Sequence, residues 1–188
     1  MTIYHVIAAF CGLALGAAGG WALARRLRSR GATGAGRVRT ILLPFTGGAI
    51  PRRALDAALR LARAEDATLM PAFLVTVPRQ LPLDAAAPLA CELGMPVLEA
   101  IEQAAASAEI PVDARVGRGR TYRHALSLLL DAEPVDRVIV PAVGHGRNGL
   151  SGDDLIWLLE RAPAEVLILR AGFSDQRRVT GDAVHGHF

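Results

Sequence analysis

The stretch Ile41–Ala62, ILLPFTGGAIPRRALDAALRLA, decides the fold class. With Thr40 before it, the run to Phe45 is short, apolar and closed by Thr46-Gly47-Gly48. That is the pattern of a buried strand running into a turn. Pro51 suits the first turn of a helix, where its missing N–H costs nothing. Beyond it Leu55, Ala58, Leu59 and Ala62 recur with a helical period, and Arg52, Arg53, Arg60 and Arg63 fall outside that stripe. A buried strand that turns through glycines into an amphipathic helix is the first half of a βαβ unit.

The alternation continues downstream. Leu69–Val77 reads as the next strand. Residues 78–94 are rich in Pro and Ala, lack a clear period and read as a long loop with room for a short helix. Pro96 opens a second helix, with Val97, Ile101, Ala104 and Ala108 inward. Pro111–Val116 is a third strand, ended by Gly117 and Gly119, and Thr121–Asp131 a helix with Ala125, Leu128 and Leu129 inward. Arg137–Val143 is a fourth strand before a turn containing Gly144, Gly146 and Gly149. Ser151 caps a helix running to about Arg161, with Asp154 three positions on, as in a capping box. Glu165–Arg170, EVLILR, is the fifth strand. Strands alternating with helices imply an α/β domain: a five-stranded parallel sheet with helices on both faces. Ligands of such sheets bind beyond the carboxyl ends of the strands. The loops at Thr46–Ile50, Gly117–Arg120 and Gly144–Gly152 fall at those ends.

Upstream, Ile3–Leu23 contains no Asp, Glu, Lys or Arg. A hydrocarbon core of about 30 Å needs about 20 helical residues, and this run meets that length. Arg25, Arg26, Arg28 and Arg30 follow at once, which directs the C-terminal part to the cytoplasmic side. A cleaved signal would carry its charge before the apolar run instead. Residues 1–24 therefore read as a single-pass cell-membrane anchor, 25–36 as a basic, Gly-rich linker, 37–171 as the folded domain and 172–188 as a flexible tail. Gly12 and Gly16 form one GxxxG, a spacing that lets two membrane helices approach closely.

Composition fits this division. The 188 residues are 52% hydrophobic and 21% charged, with a formal net charge of +3. All the basic side chains are arginine. Such a small excess does not argue for nucleic acid. Cys11 and Cys91 lie far apart, and no CxxC or Cys/His spacing suggests zinc or a disulfide framework.

The layout from Val38 to Ala171 resembles the universal stress protein family, a fold of the adenine nucleotide alpha hydrolase type. The resemblance rests on ILLPFTGGAIPRRALDAALRLA, Gly117 before a helix, DRVIV followed by glycines and then Gly149-Leu150-Ser151-Gly152, and Arg161-Ala162-Pro163 before EVLILR. Many members bind ATP through a glycine, two residues, a second glycine, nine residues and Gly-Ser or Gly-Thr. Gly146 stands for the second glycine, and Val143, or Gly144 with a shift of one, for the first. The final Gly-Ser is replaced by a run containing Asp153 and Asp154, which repels an anion. Thr46 stands where the family has an acidic residue that meets the nucleotide. The resemblance thus implies a nucleotide site at Thr46, Gly47, Gly117, Arg118, Arg120, Gly144, Gly146, Gly149 and Ser151, with a phosphate motif broken in this chain.

The remaining polar candidates do not form a catalytic set. His124, His145, Asp153 and Asp154 show no Ser/His/Asp order, and Ser151 lacks the spacing of a nucleophile elbow. His185-Gly186-His187 reads as a disordered end and not a metal site. Leu155, Ile156, Trp157, Leu158 and Leu159 make a helix apolar nearly all round, which calls for cover on both sides. Family members typically dimerise through the last strand. The expectation is a non-catalytic, homodimeric regulatory or adaptor domain at the membrane, without a resident cofactor and docking on a partner such as a transporter. The alternative is a membrane-associated ATP or adenine-nucleotide sensor.

Overall fold

The computed structural model describes residues 38–85, 88–142, 150–170 and 178–179, all within the unit Arg37–Phe188. In chain order these form β1 (Thr40–Phe45), β2 (Ile50–Pro51), α1 (Arg52–Glu65), β3 (Thr68–Thr76), α2 (Pro88–Ser107), β4 (Arg115–Gly119), α3 (Tyr122–Ala132), β5 (Arg137–Ala142), α4 (Gly152–Arg161), β6 (Glu165–Arg170) and β7 (Arg178–Val179). Five strands make one parallel sheet in the order β4-β3-β1-β5-β6. The anchor expected at 1–24 and the linker at 25–36 lie outside the described residues. Among the described residues no helix is long and apolar enough to cross a membrane.

The sheet is buried because its strands are apolar on both faces. Ile41, Leu43, Phe45, Leu69, Phe73 and Val75 meet Leu55, Ala58 and Ala62 of α1 and Val97, Leu98, Ile101 and Ala105 of α2. The alternate residues, among them Leu42, Met70, Leu74, Val138 and Val140, meet Leu126, Leu129 and Leu130 of α3 and Leu158 of α4. The period of two along each strand thus feeds two separate cores.

Local deviations have local causes. Helix α2 begins eight residues before Pro96 and carries that proline inside it. Packing of its buried stripe outweighs the lost hydrogen bond, as tertiary contacts commonly do for helices. In α3, Leu126 and Leu130 are buried beside Ala125 and Leu129, and Leu128, expected inward, is exposed. Strand β4 begins at Arg115 and not at Pro111 because of Pro71, and it runs on through Gly117 and Gly119, which were expected to end it. Leu69 N–H donates to Pro111 O, so odd-numbered residues of β3 turn towards β4. Pro71 has no N–H to give. The pairing therefore lapses between the Leu69–Val112 bridge and Ala72–Arg115, where it resumes in the same register. Within 172–188, expected as a flexible tail, Arg178 and Val179 pair antiparallel with Pro51 and Ile50.

Asp136 and Arg137 pin the amino-terminal ends of the central strands. Asp136 Oδ2 accepts from Arg39 N at 2.8 Å and Thr40 N at 2.9 Å. The Arg137 side chain, 11% exposed, bridges Glu65 of α1 and Glu165 of β6, with Nε 2.6 Å from the latter. Burial alone lowers the guanidinium's pKa, and the two carboxylates outweigh it, holding it above its ordinary value.

Candidate functional site

The strand order reverses at β1: the chain leaves it for β3 and β4 on one side and returns to β5 and β6 on the other. The crevice at the carboxyl ends of β1 and β5 is therefore the switch point where ligands of such sheets bind. On the β1 side it is built by Thr46, which is 8% exposed, and by Gly47. Gly47 has φ 70°, a left-handed conformation that a side chain makes costly. Gly48 lies beside Leu93 of α2, whose carbonyl oxygen an added Cβ would meet at 3.5 Å.

Gly117 and Gly119 let helix α3 settle onto β4. A Cβ at Gly119 would stand 2.2 Å from Ala125 N and 2.7 Å from Ala125 Cα. At Gly117 it would meet Leu74 Cδ2 at 3.0 Å. Gly117 is thus a packing residue within β4, and Gly119 sets how close α3 comes. Gly94 has a similar role on α2, where a Cβ would enter the Phe73 ring at 2.3 Å. The rhythm of glycines around 117–119 was visible in the sequence, whereas nothing near Gly94 pointed to Phe73.

Arg118 and Arg120, expected to face phosphate, hold the loop after β3. Arg120 Nη1 donates to the carbonyls of Val77 at 3.3 Å, Leu81 at 2.8 Å and Pro78. Arg118 Nη1 donates to Asp84 O at 3.1 Å. The loop folds on itself through Leu81 N to Pro78 O and Ala85 N to Pro82 O. Thr121 caps α3 by accepting from His124 N at 3.1 Å, and His124 Nδ1 accepts from Arg120 N at 3.1 Å.

Ser151 performs the capping expected of it. Its hydroxyl accepts from Asp154 N at 3.2 Å, and Asp154 Oδ2 accepts from Ser151 N at 3.0 Å and Ser151 Oγ at 2.8 Å. Asp154 also pairs with Arg123 Nε at 2.9 Å, and Arg123 lies over the Trp157 ring, 5.8 Å from its centroid. Burial raises the Asp154 pKa, but the Ser151 and Arg123 hydrogen bonds outweigh it and leave the pKa below the ordinary value. Gly144, Gly146 and Gly149, the other half of the expected nucleotide site, lie outside the described residues. Among the described residues no group of three or more His, Cys, Asp or Glu is placed to hold a metal.

The universal stress protein family matches residues 37–170. The chain belongs to the universal stress protein family. No curated protein matches it by sequence. Solved structures do match. A universal stress protein family member from Burkholderia pseudomallei is 19% identical with a TM-score of 0.54, covering 73% of this chain and 100% of its own. A universal stress protein in complex with cAMP is 24% identical with a TM-score of 0.50, at the same coverage. One from Arabidopsis thaliana with AMP bound is 12% identical with a TM-score of 0.54, covering 74% of this chain and 96% of that one. Identities this low establish the shared fold. As a universal stress protein domain, the chain has the parallel sheet and helices expected from its strand–helix alternation.

Proposed function

We propose that this universal stress protein domain is a non-catalytic regulatory or adaptor module, held at the cytoplasmic face of a membrane by Ile3–Leu23. It works by pairing with a second copy and docking on a membrane partner such as a transporter. The observation that carries the reading is the contrast between the two sheet edges. Edge strand β4 carries Arg115 and Arg118 within five residues, the first paired with Asp113 and Glu133 and the second tied to the loop at Asp84. Charged side chains on an edge resist further pairing. Edge strand β6 has four consecutive apolar residues, Val166–Leu169, with Ile168 39% exposed. The preceding helix leaves Ile156 and Leu159 57% and 59% exposed. An apolar edge of this kind, uncovered among the described residues, invites another strand.

Hydrogen-bond parity restricts how two copies meet. Glu165 N donates to Asp136 O, so 165, 167 and 169 turn towards β5 and 166, 168 and 170 turn outwards. A two-fold axis at Ile168 brings outward-turned residues opposite one another, Ile168 facing its own copy and Val166 facing Arg170. The sheet then continues across the pair.

Two of the described polar candidates are held in structural contacts, His124 with Arg120 and Asp154 with Ser151 and Arg123, which supports a non-catalytic role. A second reading, an adenine-nucleotide sensor, is favoured by the related structures with cAMP and AMP and by the Gly47 turn at the switch point. Thr46 in place of an acidic residue and the commitment of Arg118 and Arg120 to the loop weigh against it. Calorimetric titration of the full chain with ATP, AMP and cAMP separates the two. The adaptor reading expects no binding near physiological concentrations, and micromolar binding would replace it with the sensor.

A further inference from the structure

Two prolines stand where the sheet divides. Thr68 N donates to Arg39 O and Asp136 N to Thr40 O, so the odd-numbered residues of β1 turn towards β3 and the even-numbered ones towards β5. Pro44 therefore faces β5. Because β5 gives Val138 and Val140 to β6, its residues 137, 139 and 141 face β1. The register pairs Leu42 with Val138. The next two donors across this seam would be the N–H of residue 44, to Ile139 O, and the N–H of residue 141, to Pro44 O. Both residues are proline and have no N–H. The seam accordingly pairs two positions, Ile41–Arg137 and Leu42–Val138. The flanking seams, β1–β3 and β5–β6, pair six each.

Its amino end is closed as firmly as its carboxyl end is open. Asp136 holds the N–H groups of Arg39 and Thr40, and Arg137 ties Glu65 to Glu165. The missing rungs lie on the side of the crevice bounded by Thr46 and Gly47.

We propose that the β1–β5 seam is a hinge. It divides the sheet into a β4-β3-β1 block and a β5-β6 block that pivot about Leu42 and Val138. A group entering the crevice spreads or clamps the open end and so turns β6. The consequence for self-association rests on the β6 pairing proposed above; the hinge itself does not.

Hydrogen exchange of the full chain tests the hinge directly. Ile139 and Val140 are both buried, but Ile139 N–H closes the last rung of the open seam while Val140 N–H lies within the β5–β6 ladder. The hinge predicts that Ile139 exchanges at least about ten-fold faster than Val140. Replacing both prolines, Pro44→Val with Pro141→Val, restores both donors, brings Ile139 to the rate of Val140 and raises the melting temperature. Equal protection of the two amides in the unaltered chain would overturn the proposal, whether or not the variant folds. So would a folded double variant in which Ile139 is no better protected. Exchange reads the seam in monomer or dimer alike, so failure of the hinge and failure of β6 pairing are told apart.

Discussion

Gly119→Ala tests whether contact between β4 and α3 sets the geometry at the carboxyl end of the sheet. The added methyl would lie 2.2 Å from Ala125 N, 2.7 Å from Ala125 Cα and 2.9 Å from Ala125 Cβ. Two of these are backbone atoms, so no rotamer change relieves the clash. The first turn of α3 would have to recede by roughly 1 Å, drawing Leu126, Leu129 and Leu130 away from the sheet. Overpacking of this kind costs about 3 kcal/mol, the upper part of the usual range. At about 3–5 °C per kcal/mol for a domain of this size, melting falls by about 10 °C. Gly152→Ala is the matched control. It opens α4, nothing lies within 4 Å of its added Cβ, and loss of glycine's unfolded-state freedom gives about 0.5 kcal/mol of stabilisation. Urea titrations of both variants, followed by circular dichroism, measure the pair. Equal stability of Gly119→Ala and the unaltered chain would refute the close-packing argument.

Other outcomes follow from the same contacts. Arg120→Ala frees the carbonyls of Val77, Pro78 and Leu81, and trypsin should then cut at Arg79 about ten-fold faster, the equivalent of one charge-assisted hydrogen bond. Asp154→Asn removes an acceptor whose folded-state pKa lies below its ordinary 3.8. The ionised form therefore favours folding. Its contribution is complete above the ordinary value and disappears as pH falls through the folded-state value. Denaturation at a series of pH values should show the variant less stable at neutral pH and the gap closing below about pH 4.

Much of the fold could be read in the sequence because its strands are short apolar runs punctuated by glycine, and both cues are local. Thr40–Phe45 and Glu165–Arg170 begin and end where their patterns change. The Ser151–Asp154 box was equally plain, since its residue types and spacing are its mechanism. What stayed hidden depends on neighbours across the sheet. Pro96 suggests a helix start because proline breaks helices, but packing of Val97, Leu98 and Ile101 carries the helix through it. Arg118 and Arg120 suggest phosphate binding beside a glycine turn, but their partners are carbonyls some 34–43 residues upstream. The meaning of Pro44 and Pro141 emerges only when register and hydrogen-bond direction show that both face one seam.

The β6 edge is the centre of the functional account, and Ile168→Pro tests it most directly. Residue 168 turns its backbone outwards, so the proline removes an edge donor while leaving the inner β5–β6 hydrogen bonds intact. Sedimentation of the full chain across a range of concentrations should show a dimer, and Ile168→Pro should shift it to monomer with its melting temperature little changed. A monomer before substitution, or a dimer that survives it unchanged, would contradict the account.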